Sequence, residues 1–308
     1  MPIRLAIVGP GRVGQALGRR WAESGVDLLG YVGRDRARTA AAVAFAGRGR
    51  ALQLADLRTA HVVVLAVGDP DLPELVAAAA AAGCTRRCAL WLHTSGRHGL
   101  SVLAPLAAVA PASGRPADCV RLGALHPVAP FPDAAAGLAG LPDRPAVLLG
   151  EPRARRLLGR LCDRLGMRPL WADPRGDRTL YHAACALAAN GLTALRAAVD
   201  EALAASSVLS PADAARLAQS LMAAALDACA RHGAAAALSG PVARGDDATV
   251  AAHRTALLGT AAAADADPAP LDEVYRVLML QALRLARRRG LDDAADRALR
   301  RALGAAME

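Results

Sequence analysis

The 308-residue sequence predicts an α/β protein, a doubly wound parallel sheet followed by an all-α C-terminal domain. Three observations carry this. A glycine string near the N-terminus lies between a strand-like run and a helical run. Strand-like runs then alternate with helical segments as far as about residue 173. Beyond that point only long Ala/Leu/Arg segments of helical period remain.

Taken in order, Leu5-Ala6-Ile7-Val8 is an apolar strand run, and Val13, Leu17 and Trp21 recur at helical spacing. "VDLLGYVGRD" gives a second strand ending near Val32, and 61–67 is an uninterrupted apolar run of the type buried on both faces of a parallel sheet. "CALWLH" before Thr94, "CVRLGALH" ending at His126, "PAVLLG" ending at Gly150 and "MRPLWA" from Met167 complete the set. Helical patterns separate most of them, at 71–82, 100–109 and 152–165. The stretches 110–118 and 127–144 read as loops at the carboxyl ends of strands, where ligands gather on such sheets. Helices are expected at 179–206, 211–232, 246–260 and 271–289, with Ser210 capping Pro211 and Gly290 closing the last. "ADADPAP" reads as a linker. The resulting division is 1–173 for the nucleotide domain and 174–308 for the helical domain.

Composition excludes several classes. Hydrophobic residues make up 54% of the chain, ample for a sizeable core. A net charge of +9 invites a nucleic-acid reading, but there is no lysine, isoleucine occurs only at Ile3 and Ile7, and Asn190 is the sole asparagine. That pattern fits GC-rich codon usage with arginine carrying the solubility load. The basic residues are dispersed without interleaved aromatics, so no nucleic acid is expected. No stretch is apolar and long enough to span a bilayer, and the start is already a strand, so a cytoplasmic protein without membrane attachment is expected. Cys84, Cys88, Cys119, Cys162, Cys185 and Cys229 lack metal-ligand spacing and read as reduced, mostly buried thiols; no metal is expected.

Gly9-Pro10-Gly11-Arg12-Val13-Gly14, in strand–turn–helix order, reads as a Rossmann dinucleotide fingerprint. Gly9 makes the turn, Gly11 admits a pyrophosphate, Gly14 packs the helix on the strand, and the helix N–H groups carry the anion. An acidic residue that would bind both ribose hydroxyls is missing at the second strand's end, where Gly33 and Arg34 stand. Room plus a guanidinium suits a 2′-phosphate, so NADP(H) is expected over NAD(H), with Arg36 and Arg38 either adding to the field or solvated. Asp35, one position on, is the residue that could turn inward instead. Val67, Gly68 and Thr94, at the ends of later strands, complete the expected cofactor site.

"IVGPGRVGQALG", "LHTSG", "LGALHP", "LYHAACALAANGLTAL" and "LSGPVARGD" together resemble the Rossmann-like proteins carrying a DUF2520 C-terminal domain. That family is similar to the ketopantoate, pyrroline-carboxylate and β-hydroxyacid oxidoreductases in pairing a nucleotide domain with a helical substrate domain. The resemblance implies an NADP(H)-dependent reductase of a small carbonyl acid, with ketopantoate as the named substrate. An imine reductase and a non-catalytic NADP(H) sensor are the alternatives. Better-known relatives use a helical lysine as proton donor, and this chain has none.

Histidine and tyrosine are then the available donors. His182, near the start of the second domain's first helix, leads, with Asn190 rotated from it by roughly 80° at 3.6 residues per turn. Asn190 otherwise reads as an ordinary helix amide. His126 is the second donor candidate or a strand cap; Ser95 meets the nicotinamide or substrate, or caps its turn. His93 reads as a core histidine and Tyr181 as packing. Arg244 in the "SGPVARGD" loop is the candidate for a substrate carboxylate, or pairs with Asp246 or Asp247. The apolar helical domain suggests a homodimer.

Overall fold

The computed structural model describes residues 2–85, 89–108, 120–261 and 271–305. The expected loop at 110–118, Cys88, Cys119 and the linker at 264–270 lie outside the described residues. The chain divides into two units, Met1–Leu187 and Ala188–Glu308, so the division falls past residue 173, at the end of the first helix assigned to the second domain.

The first unit is built on one eight-stranded sheet. Its strands are β1 (Arg4–Val8), β2 (Asp27–Val32), β3 (Arg50–Leu52), β4 (Val62–Leu65), β5 (Leu90–His93), β6 (Arg121–Pro127), β7 (Pro145–Gly150) and β8 (Arg168–Trp171). They lie in the order β3-β2-β1-β4-β5-β6-β7-β8. The chain reverses direction across the sheet after β1, at the β1/β4 boundary, and β1 to β6 run parallel, with Ile7 opposite Val64 and His93 opposite Ala124. The short β3 went unforeseen because three residues carry no periodicity.

The expectation of a wholly parallel sheet needs correction. β7 is antiparallel to β6, with Leu125 opposite Leu148, and β8 follows β7 in parallel. The connection between β6 and β7 never crosses to the other edge. It closes on itself where the Val128 N–H donates to the Pro145 carbonyl at 3.0 Å, so the next strand must run back.

Helices α1 (Arg12–Glu23), α2 (Arg36–Ala46), α3 (Leu72–Ala81), α4 (Ala104–Ala107), α5 (Ala134–Ala139) and α6 (Pro152–Leu165) cover the sheet. One core joins Leu5, Ile7, Leu17 and Trp21 to Leu148 and Leu158, and the Trp21 indole N–H donates to the Leu161 carbonyl at 2.9 Å. The other joins Val63, Leu65 and Trp91 to Leu72, Val76 and Leu103. Both faces of the parallel strands are therefore apolar, as the continuous runs required. Helix α7 (Arg178–Ala186) ends this unit, capped by Asp177, whose carboxylate accepts from the Thr179 and Leu180 N–H groups.

A π-helical turn, Leu187–Gly191, leads into the second unit. It contains α8 (Leu192–Ser206), α9 (Pro211–His232), α10 (Ala234–Ala237), α11 (Pro241–Arg244), α12 (Asp247–Ala261), α13 (Leu271–Arg288) and α14 (Asp293–Ala302). Ser210 caps α9 by accepting from the Asp213 N–H at 3.2 Å, with Pro211 at the first helical position. The core of this unit, Val242, Val250, Leu283, Leu299 and Leu303, belongs to α11–α14. Arg254 ties three of these helices through Asp272 at 2.7 Å and the Ala302 carbonyl at 2.9 Å. The 22 residues of α9, by contrast, bury only Ala214 and Ala218. Among the described residues no helix is long and apolar enough to cross a membrane.

Candidate active site

In the first unit the carboxyl ends of β1, β2, β4, β5 and β6 deliver the site residues to one edge of the sheet, the edge at which ligands bind in this architecture.

The cradle begins at Gly9, which has φ of +104°, and a Cβ there would stand 2.4 Å from the Ala66 carbonyl oxygen. Only glycine makes this turn without strain. A Cβ on Gly14 would stand 2.2 Å from the Gly9 oxygen, which is how closely α1 approaches β1. Gly11 differs from both, because a Cβ there meets nothing within 4 Å. It faces open space that a pyrophosphate can fill. The first helical hydrogen bond runs from the Gln15 N–H to the Gly11 carbonyl at 2.9 Å, and Gly11 offers no side-chain cap. The N–H groups of Arg12, Val13 and Gly14 are left as the helix's anion-binding end.

A cleft of about 590 Å³ opens there, within the range of roughly 300–1,000 Å³ usual for cofactor sites. Gly9, Pro10, Gly11, Gly33, Arg34, Val67 and Gly68 line it as expected. Arg12, Val13, Gly14 and Thr94 do not line it with their side chains. Arg12 donates to the Pro132 carbonyl at 3.1 Å, Val13 packs on the core, and the Thr94 N–H extends the ladder to Leu65. Arg38, one of the two arginines expected to add to the field, joins the lining, and Gln53, Asp71 and Glu74 join it without having been foreseen, since no spacing marks them. Gly33 is fixed by contact, as a Cβ would lie 2.4 Å from Thr39 Oγ1 and 2.6 Å from Pro10 Cγ. Asp35 also lines the cleft, and its carboxylate caps α2, accepting from the Arg38 N–H at 3.1 Å. The Arg34 side chain is 91% exposed, 3.7 Å from Asp71 Oδ2, a loose pair that an anion can displace. These residues fit a dinucleotide.

The second centre gathers at the ends of β5 and β6. His126 Nδ1 and the Tyr181 hydroxyl are 2.7 Å apart, with the rings edge to face. His182 sets its ring 6.0 Å from that of His126. Gly96 is pressed against both, since a Cβ would lie 2.7 Å from His182 and 2.9 Å from His126. Arg178 stacks its guanidinium on Tyr181, 4.9 Å from the ring centre, and donates to the Ser95 carbonyl at 3.2 Å. Burial first, then the nearby Arg178 and His182, pushes the His126 pKa down to about 4, so it is neutral at pH 7. Burial also raises the Tyr181 pKa, which keeps its hydroxyl protonated.

Tyr181, read as packing from the sequence, is thus a member of the cluster. Neighbouring helix positions both reach His126 because that ring lies between them. Arg178 and Gly96 were also missed, although Arg178 stands one turn before Tyr181. Ser95 takes the turn-capping option: its Oγ accepts from the Arg97 and His98 N–H groups at 3.1 and 3.0 Å. His93 is a fully buried core residue, with Nε2 3.2 Å from the Gly99 carbonyl and Nδ1 without a partner. Asn190 is exposed on the π turn, in the second unit. Arg244 is exposed at the end of α11, where a short helix replaces the expected loop. Among the described residues no group of His, Cys, Asp or Glu could hold a metal ion.

Comparison with known proteins agrees with this architecture. Residues 2–113 match the Rossmann-like domain model and residues 145–282 the model described as Domain of unknown function (DUF2520). No curated protein matches the chain. A Bacteroides fragilis protein described as a candidate NADP oxidoreductase is 17% identical, with a TM-score of 0.70 over 92% of this chain and 98% of its own. An imine reductase from Streptomyces aurantiacus is 16% identical with a TM-score of 0.58, over 94% and 100% of the two chains. A pyrroline-5-carboxylate reductase from Coxiella burnetii is 13% identical with a TM-score of 0.56, over 99% and 97%. At such identities the likeness is one of fold. The chain thus carries a Rossmann-like domain followed by a DUF2520 domain.

Proposed function

We propose that the protein is an NADP(H)-dependent oxidoreductase that reduces a small carbonyl acid, with 2-dehydropantoate (ketopantoate) as the named substrate. The observation that carries this reading is the His126–Tyr181 hydrogen bond beside His182, on the same sheet edge as the open glycine cradle. When bound, the reduced nicotinamide supplies the hydride. The chain's residues have the remaining tasks. The N-terminus of α1 holds the pyrophosphate, and Arg34 and Arg38 accept a 2′-phosphate while Asp35 is held in its cap. A phenol is a stronger hydrogen-bond donor than a neutral imidazole N–H, so we assign the Tyr181 O–H as donor to Nδ1. His126 then carries its proton on Nε2 and can polarise an acceptor oxygen. His182, with neither ring nitrogen bonded among the described residues, supplies the proton.

An imine acceptor is the second reading, supported by full-length fold likeness to an imine reductase and a pyrroline-5-carboxylate reductase. NADPH oxidation with a panel of 2-oxo acids and cyclic imines separates the two. Binding of NADPH without turnover of any acceptor would favour a sensor. A homodimer belongs to the same proposal. Leu217, Leu221 and Leu226 of α9 are 44%, 65% and 54% exposed, and a 22-residue helix with two buried alanines gains stability from a second copy. Light scattering tests it. We place the protein in the cytoplasm, in keeping with Cys84, Cys162, Cys185 and Cys229 being free thiols.

A further inference from the structure

A second cavity, of about 260 Å³, opens between β7, β8 and α7 in the first unit. Val147, Leu170 and Trp171 give it apolar walls, and Arg178 and Tyr181 close one end. It falls below the roughly 300–1,000 Å³ of larger ligand sites, so it suits a small metabolite. Leu170 and Trp171 are 53% and 38% exposed, a large apolar surface for an edge strand, and the Arg155 guanidinium lies 4.1 Å over the Trp171 ring.

Two carboxylates, Asp173 and Asp177, and one guanidinium, Arg178, line this cavity, and both carboxylates are already engaged. Asp173 is spent on Arg175 at 3.2 Å, and Asp177 on the N-terminus of α7. Arg178 pairs with no carboxylate among the described residues. Its one hydrogen bond goes to the Ser95 carbonyl, and its Nε is buried without a partner. A guanidinium has five donors in a fork that matches a carboxylate. Leaving such a cation half-buried and unpaired is costly, and an anionic ligand removes that cost.

We propose that this cavity seats the small apolar body of the acceptor, with its carboxylate on Arg178. This rests on the reductase reading and deepens it: the substrate class is a small oxo acid whose body is apolar and larger than a methyl group. Tyr181 belongs both to the cavity and to the His126 hydrogen bond, so an acceptor held here abuts the polarising imidazole. Arg178, rather than Arg244, is then the carboxylate ligand.

The test is a binding titration without cofactor. Trp21 and Trp91 are fully buried, so Trp171 is the indole that a ligand in this cavity meets. Three probes are added: 3,3-dimethyl-2-oxobutanoate, pyruvate, and the neutral ketone 3,3-dimethyl-2-butanone. The branched acid should change tryptophan emission saturably and bind at least tenfold more tightly than either other probe. Arg178→Gln should weaken the acid at least tenfold and leave the ketone and NADPH unchanged, with Arg178→Lys between it and the native protein. Trp171→Phe should remove the signal. Equal binding of acid and ketone to the native protein, or of the acid to native and Arg178→Gln proteins, overturns the proposal. NADPH oxidation is measured separately. An acid that binds as described yet is not reduced ends the reductase reading alone, and reduction with an unaltered KM in Arg178→Gln ends this assignment alone.

Discussion

The Tyr181 hydroxyl meets His126 Nδ1 at 2.7 Å, and this fixes which nitrogen of the imidazole faces an incoming acceptor. Removing the hydroxyl leaves the ring in place but frees its tautomer. Tyr181→Phe should therefore lower kcat by roughly ten- to a hundredfold, with NADPH affinity unchanged. His126→Ala should be worse, and the double variant little worse than His126→Ala, because the two act as one unit. Additive losses in steady-state kinetics would separate them.

His182 carries the larger expected effect. His182→Ala should reduce turnover by roughly a hundredfold or more, the usual scale for losing a general acid. Asn190→Ala, on the exposed π turn, checks the remaining candidate on that helical run. A His182→Ala enzyme with nearly native turnover would pass the donor role to His126.

What could be seen in advance follows from what has a period or a fixed local geometry. The glycine turn was legible because Gly9, Gly11 and Gly14 each have a local task within one strand–turn–helix unit. Helix α6 was legible at 152–165 because its apolar stripe and its Pro152 and Gly166 boundaries are local too. The reversal at β7 lies in the antiparallel ladder to β6 and the Val128 to Pro145 hydrogen bond that extends it, backbone pairings that no side-chain pattern encodes. The cluster was half legible. His126 and His182 could be picked by type, but Tyr181, Arg178 and Gly96 matter only because three segments far apart in sequence converge.

The open space around Gly11 makes a clean separation of fold and binding possible. A valine there meets no protein atom within 4 Å of its Cβ, so Gly11→Val should fold with native circular dichroism and lose NADPH binding altogether. Gly14→Val is the contrast, since its Cβ would strike the Gly9 carbonyl, and it should lose stability as well. Retained NADPH affinity in folded Gly11→Val would show that the string is only a turn.

Cofactor choice turns on Arg34 with Asp35 held in its cap. NADPH should bind at least about tenfold more tightly than NADH, some 1.4 kcal/mol and within the reach of one charge-assisted pair. Arg34→Asp should narrow or reverse that ratio in a fluorescence titration. Equal native affinities would remove the 2′-phosphate assignment.

Acid should destabilise the first unit before its paired aspartates Asp56 and Asp173 titrate. Burial pushes His93 and His126 down to about 4, against an ordinary 6.5, so the unfolded chain binds these protons first as pH falls. Stability is therefore full above 6.5 and is lost between 6.5 and about 4. The paired aspartates of this unit, Asp56 and Asp173, are held below their ordinary 3.8 by hydrogen bonds and act only at lower pH. For fully buried His93 the loss from pH 7 to pH 5 is about 2 kcal/mol, and less for His126, which solvent partly screens. At roughly 2–4 °C per kcal/mol, the melting temperature should drop by several degrees over that range. His93→Gln preserves a donor toward the Gly99 carbonyl and removes the titration, so its melting temperature should fall by less than half as much between pH 7 and 5. A drop as steep as that of the native protein would show that His93 takes up its proton without unfolding.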